Sequence, residues 1–165
     1  MWINWVRSNL PMANLPSKNY KNWWRVAQST RYFLDINMQK AIESRSDIAF
    51  LMESFYQKLL PDPIVGYIFT DVVQLNLEKH LPVLVDFWEI ILLGTGDYKG
   101  NVMLKHIELD KKTPLLPEHF ERWKKLFFET VDEYFTGGVA EEAKRRVTLM
   151  EGLMQFKIAK SREQG

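Results

Sequence analysis

Apolar residues recur along most of this chain at helical spacing, and that pattern limits the fold more than any other feature. Ile48, Leu51, Met52, Phe55, Tyr56 and Leu59 fall at i, i+3, i+4, i+7, i+8 and i+11, one continuous stripe on a helix of 3.6 residues per turn. Ser46 with Asp47 can cap its start, and Pro61-Asp62-Pro63 ends it. A short apolar segment, Ile64 to Phe69, comes next. A second stripe, Leu77, His80, Leu81, Leu84, Trp88 and Ile91, predicts a helix from about Asn76 to Leu93. Pro82 lies inside it, so this helix either starts near Lys79 or kinks. The loop from Gly94 to Asn101 leads to a short helical piece, Val102 to Ile107, which aligns Met103, His106 and Ile107. Pro117 opens a long helix with Phe120, Trp123, Phe127, Thr130, Val131 and Tyr134 on its buried side, and Gly137-Gly138 closes it. The last helix buries Ala143, Val147, Met150 and Met154. No segment alternates strictly between apolar and polar, so the fold class is all-α.

Composition removes several classes of chemistry. The chain has 165 residues, the size of one domain, and at 46% hydrophobic and 26% charged it can fill a core and still dissolve. It has no cysteine, which excludes disulfides, thiolate metal sites, iron–sulfur clusters and cysteine nucleophiles. Any metal must be held by carboxylates or by His80, His106 and His119. No run approaches the ~18 apolar residues of a membrane span. Residues 1–45 carry seven Lys/Arg against two Asp/Glu, whereas residues 46–165 carry fifteen against nineteen. The slightly acidic body argues against a nucleic-acid surface. No secretory signal is found, so the expected location is cytoplasmic.

Residues 1–37 show no sustained period, and they hold Trp2, Trp5, Trp23 and Trp24. One reading is a basic aromatic segment that lies on a membrane surface or clamps the body. The preferred reading is an N-terminal extension outside the folded body, with Met38 as the natural start, because helical patterning begins only after it. The expected domains are therefore 1–37 and 38–165.

Few residues in the body carry chemistry. The glycine loop has no preceding strand and no Gly-Lys-Ser/Thr leading into a helix, so it is a turn and not a phosphate cradle. The acidic residues are expected on solvent-facing positions, and His119, in a first turn, is expected to be exposed. His80 and His106 are different, because both sit on apolar faces. Either alone suits a satisfied core histidine. Together, in a chain rich in aromatics, they suit an iron porphyrin: an imidazole for the metal, apolar walls for the ring and polar groups over the open coordination site. Tyr56 and Trp123 place a hydroxyl and an indole N–H on buried faces, where a diatomic ligand or a backbone carbonyl would serve equally as partner.

The succession Phe55-Tyr56, Phe69, His80-Leu81-Pro82, Asp86-Phe87-Trp88, Leu92-Leu93-Gly94-Thr95-Gly96, Tyr98-Lys99-Gly100-Asn101, Lys105-His106 and His119-Phe120-Glu121-Arg122-Trp123 closely resembles the group III truncated haemoglobins. The resemblance covers roughly residues 40–160, and the 26 residues from His80 to His106 fit the family's interval between distal and proximal histidine. It implies the shortened globin fold, helices packed two over two around haem b. It implies His106 as the iron ligand, and Tyr56, His80 and Trp123 as the polar cluster around bound ligand. Phe69 would pack on the haem and Trp88 would close the pocket. Leu84 and Met103, on the faces of His80 and His106, would join His80 and His106 among the residues touching the cofactor. Val102 stands where many members have proline, Asp110–Pro117 is a little longer than in some relatives, and residues 1–37 have no counterpart.

The function implied is a haem protein that binds O2, NO and CO. The alternative is a haem-based redox enzyme acting on nitric oxide or peroxide with the same residues, which would need a reductase as electron donor. A helical module that reaches a membrane through its N-terminus explains none of the buried polar residues.

Overall fold

The computed structural model describes residues 39–164, which fold as five α-helices: α1 Arg45–Leu59, α2 Leu77–Leu93, α3 Val102–Asp110, α4 Pro117–Tyr134 and α5 Gly138–Glu163. The expected extension, residues 1–37, lies outside the described residues. A π-helical turn, Ile68–Val72, stands between α1 and α2. The described residues contain no strand; a single bridge pairs Lys40 with Phe135 and ties the start of the body to the turn between α4 and α5.

The helices begin where side chains can satisfy their free amides. Ser44, not Ser46, caps α1: its extended backbone lets the hydroxyl accept from the Asp47 amide, while Asp47 accepts from the Ser44 amide at 2.9 Å. Ser46 is already one residue into the helix, too close to reach that amide. Asn76 caps α2, so the helix starts two residues before Lys79 and carries Pro82 inside it. Asn101 caps α3 through the Leu104 amide at 2.9 Å. Gly137-Gly138 does not close α4, which ends at Tyr134; Gly137, at φ 92°, begins α5 instead.

Packing follows the stripes. α1 lies against α2 and α4, α4 against α5, and α5 against α3. The main core gathers Leu51, Phe55, Trp88, Phe127, Val131, Phe135 and Val147. A smaller cluster, Ile68, Leu115, Phe120, Met154 and Ile158, lies under the π-turn and the loop before α4. Three acids expected at the surface, Asp47, Asp62 and Glu151, are buried. Each is compensated where it sits. Asp47 meets Lys40 at 2.7 Å, Asp62 accepts from the Ile64 and Val65 amides and from Arg122, and Glu151 meets Lys124 at 2.6 Å.

After α1 the chain turns back on itself so sharply that only glycine fits at one point. The Gly66 amide donates to the Asp62 carbonyl at 2.8 Å, and a Cβ there would stand 2.3 Å from the Leu60 carbonyl oxygen. Gly152, inside α5, faces open space, with nothing within 4 Å of where a Cβ would stand. The two positions therefore predict opposite outcomes. Gly66→Ala should destabilise by about 2 kcal/mol or more, since backbone must move to relieve the clash. Gly152→Ala should stabilise by about 0.5–1 kcal/mol, the difference in helix preference. Urea unfolding of both variants checks the pair.

Candidate functional site

A cavity of about 570 Å³, counting its open mouth, lies between α3, α4, α5 and the π-turn. Small-molecule sites have mainly apolar walls and a few polar groups. The walls here are Val65, Ile68, Phe69, Leu109, Leu115, Phe120, Trp123 and Met154, with His106, His119 and Glu151 as the polar members.

His106 is the most directed of these. Its Nδ1 lies 2.8 Å from the carbonyl oxygen of Val102, one turn earlier on α3. A carbonyl can only accept, so Nδ1 carries the proton and Nε2 keeps its lone pair. Nε2 has no hydrogen-bond partner among the described residues, and the ring lines the cavity. Burial lowers the His106 pKa, which the Val102 bond only partly opposes, so the imidazole is neutral near pH 7. A neutral imidazole with a fixed tautomer and a free Nε2 is the form that ligates a metal. Among the described residues no group of three or more His, Asp or Glu could hold a bare metal ion, so this donor suits a metal that brings its other ligands with it.

Tyr56 and His80 form a second polar unit. The Tyr56 hydroxyl and His80 Nε2 are 3.0 Å apart, and the Tyr56 ring meets Phe69 edge-on at 5.9 Å. Burial pushes the Tyr56 pKa well above its ordinary value, so it stays a phenol. Burial, then the charge His106 would carry, lowers the pKa of His80. The two imidazoles thus share one region although they come from different helices.

The other sequence-predicted residues divide. Phe69 and Trp123 line the cavity with His106. Leu84 packs against the main core and Met103 against the smaller cluster. Trp88 is not among the walls of this cavity: it is 3% exposed and stacks on Phe127, with ring centroids 5.1 Å apart and planes 21° from parallel. His119, expected to be exposed, is buried. Pro117 opens α4, which puts His119 at the third position, where its Nδ1 reaches back to accept the Leu116 amide at 3.2 Å. Its ring then lies against Tyr67 and forms part of the wall. Sequence reasoning also missed Val65, Leu109, Leu115 and Glu151 as cavity residues. The helical period of α5 signals Glu151, four residues after Val147; nothing periodic signals Leu115, which precedes α4.

No protein-family profile matches the chain. The group 3 truncated haemoglobin ctb of Campylobacter jejuni is 38% identical to it over 92 residues, which are 54% of this chain and 70% of ctb. The crystal structure of a group III truncated haemoglobin from Campylobacter jejuni is similar at a TM-score of 0.65 and 29% identity, over 73% of this chain and 95% of that one. Fold and relatives together define a small all-α globin. The chain belongs to the group III truncated haemoglobins.

The placement of Trp88 gives a prediction. A tryptophan that only closed a pocket mouth would cost little to truncate, whereas this one joins α2 to α4 inside the core. Trp88→Ala should lower unfolding stability by about 3–5 kcal/mol, the range for large aromatic deletions, measured by urea denaturation.

Proposed function

We propose that residues 38–165 form a globin domain that holds haem b through His106 Nε2 and binds diatomic gases, with residues 1–37 as an extension outside it. The observation that carries this is the free, tautomer-fixed Nε2 of His106 on an apolar cavity. The packing supports it. α2 and α3, the helices that supply the two histidines, are the least buried: α2 fully buries only Val85 and Trp88 of seventeen residues, and α3 buries none of nine. Their half-buried apolar residues, Leu84 and Met103 among them, leave apolar surface for a flat group to cover. Bound there, the haem iron supplies a coordination position for O2, NO or CO.

Every other part is assigned to this chain's own groups. Val102 holds His106 in the ligating tautomer. Phe69 and Trp123 supply apolar wall. When His80 Nε2–H donates to the Tyr56 oxygen, the Tyr56 O–H is left to donate to a ligand with partial negative charge. Trp123 offers its indole N–H, which has no partner among the described residues. His80 therefore orients Tyr56 and the hydroxyl makes the contact.

Two measurements test the reading. Purified protein should show an intense Soret band at roughly one haem per chain, and His106→Ala should lose most of it. An unchanged spectrum in that variant removes His106 as ligand. Added imidazole should restore the band in His106→Gly if the cavity itself is intact.

Tyr56→Phe tests the distal assignment. A hydrogen bond to a charged partner is worth ~1.5–3 kcal/mol, and each ~1.4 kcal/mol is tenfold in affinity. Loss of O2 from the reduced protein should therefore speed up roughly ten- to a hundredfold. Carbon monoxide carries less charge at its outer atom, so its release should change far less. Equal changes for both gases in stopped-flow measurements would mean altered access, and the hydrogen-bond role would fall.

A further inference from the structure

The outer face of α5 is unpacked and carries large apolar side chains. Leu149, Leu153 and Phe156 are 55%, 50% and 62% exposed. They fall at i, i+4 and i+7, on the side of the helix away from the buried Ala143, Val147, Met154 and Ile158. Single exposed apolar residues are ordinary, but three large ones in a row along one ridge are an interaction surface.

The charges around the ridge are mostly of one sign. Arg145 and Arg146 stand before it, both bonded to the one carboxylate of Glu142 at 2.6 Å and 2.5 Å. Lys157 and Lys160 stand after Phe156, are exposed, and form no ion pair among the described residues. With Glu163 included, the face sets four cations against two carboxylates. It is a basic, apolar ridge on an otherwise well-packed helix.

That chemistry decides between occupants. A second copy of α5, related by a two-fold axis near Gly152 and running antiparallel, would set Arg145 against Lys160 and Glu142 against Glu163, like charge against like at both ends. A standard protein partner needs ~20–30 residues a side around a well-packed centre; this surface is the ridge of one helix with three large apolar side chains. A lipid surface asks for less. Leu and Phe side chains can sink into the headgroup–acyl boundary while Lys and Arg stay level with anionic headgroups.

We propose that the outer face of α5 docks this protein on an anionic membrane surface, with Leu149, Leu153 and Phe156 inserted and Arg145, Arg146, Lys157 and Lys160 against the lipid phosphates. No helix among the described residues is long and apolar enough to cross a membrane, so the contact is peripheral. The proposal does not rest on gas binding, and its test does not use it.

The test is co-sedimentation of the full-length protein with vesicles of phosphatidylcholine alone or mixed with phosphatidylglycerol, at low and high salt. The protein should bind the mixed vesicles, bind phosphatidylcholine only weakly, and dissociate as salt rises. Leu153→Glu with Phe156→Glu should lower partitioning by about tenfold or more, since each loses apolar contact and adds a repelled charge. Both side chains are exposed, so the variant should keep the wild-type thermal midpoint. Should it unfold, Lys157→Glu with Lys160→Glu tests the same contact through charge alone. Undiminished binding in the folded variants would assign the affinity to the basic, tryptophan-rich residues 1–37 and overturn the proposal. So would equal binding to both vesicle types, absence of binding to either, or a dimer in light scattering that the Leu153→Glu, Phe156→Glu variant dissociates.

Discussion

Phe127 is the contact on which the rest of the body depends. It is wholly buried and stacks on Trp88 from α2 at 5.1 Å and on Trp123 of its own helix at 5.9 Å, with Phe55 of α1 edge-on at 5.4 Å. One ring thereby fixes α1, α2 and α4 relative to each other. Trp123 is also a wall of the cavity. The core and the site therefore share a side chain, and a change that loosens the core moves the pocket. Stacked and edge-on aromatic pairs add ~0.5–1.5 kcal/mol each beyond the area they bury, and their fixed geometry holds one arrangement where aliphatic packing would tolerate several.

That rigidity explains how a helix as short as α3 can present a directed ligand. α3 buries no residue fully; it packs mainly on α5, with Met103 and Ile107 also against the smaller cluster. Asn101 caps its start, and Asp110 ties its end to the body: the carboxylate is held by Arg162 of α5 and accepts the Leu115 amide at 2.8 Å. Between those anchors, the bond from His106 to the Val102 carbonyl sets the ring. Proline in place of Val102 would keep that carbonyl, since proline lacks only the amide. The departure from the common family residue thus leaves the tautomer control intact.

The parts of this molecule legible in its sequence are those written in periodicity. The stripes through Leu51, Phe55, Phe127, Val131 and Val147 predict the buried residues of the main core, and the all-α class follows from them. The resemblance sets Tyr56, His80 and Trp123 in one polar cluster and Phe69 and His106 at the cofactor; in the structure Tyr56 bonds His80, while Trp123 lines a cavity with Phe69 and His106. Capping is legible only as chemistry: Ser44 and Ser46 both precede an apolar run, and the choice depends on the extended backbone at Ser44. His119 departs from expectation because exposure in a first turn is the usual case, whereas here the side chain folds back to cap its own helix. Trp88 shows a different limit. Periodicity says that a residue is buried, not against what, and the facing helix decides whether an inward tryptophan meets a cofactor or another ring.

The same limit separates the two apolar surfaces that the fold leaves uncovered. Around His106 the surface is concave and apolar and carries a free nitrogen lone pair, which suits the flat, metal-centred group proposed for it. On α5 the surface is convex, has no directed polar group and is flanked by Arg145, Arg146, Lys157 and Lys160, so it selects a partner that is soft, extended and anionic. In sequence both appear as apolar positions within helical stripes. Shape and the sign of the surrounding charge tell them apart, and both depend on which neighbours the helices acquire. Glu142 illustrates the point: its two arginine partners lower its pKa to about 2, so it stays ionised at any physiological pH. With Glu163, it makes the cation excess of the ridge smaller by two charges than a count of arginines and lysines suggests, yet the excess remains positive.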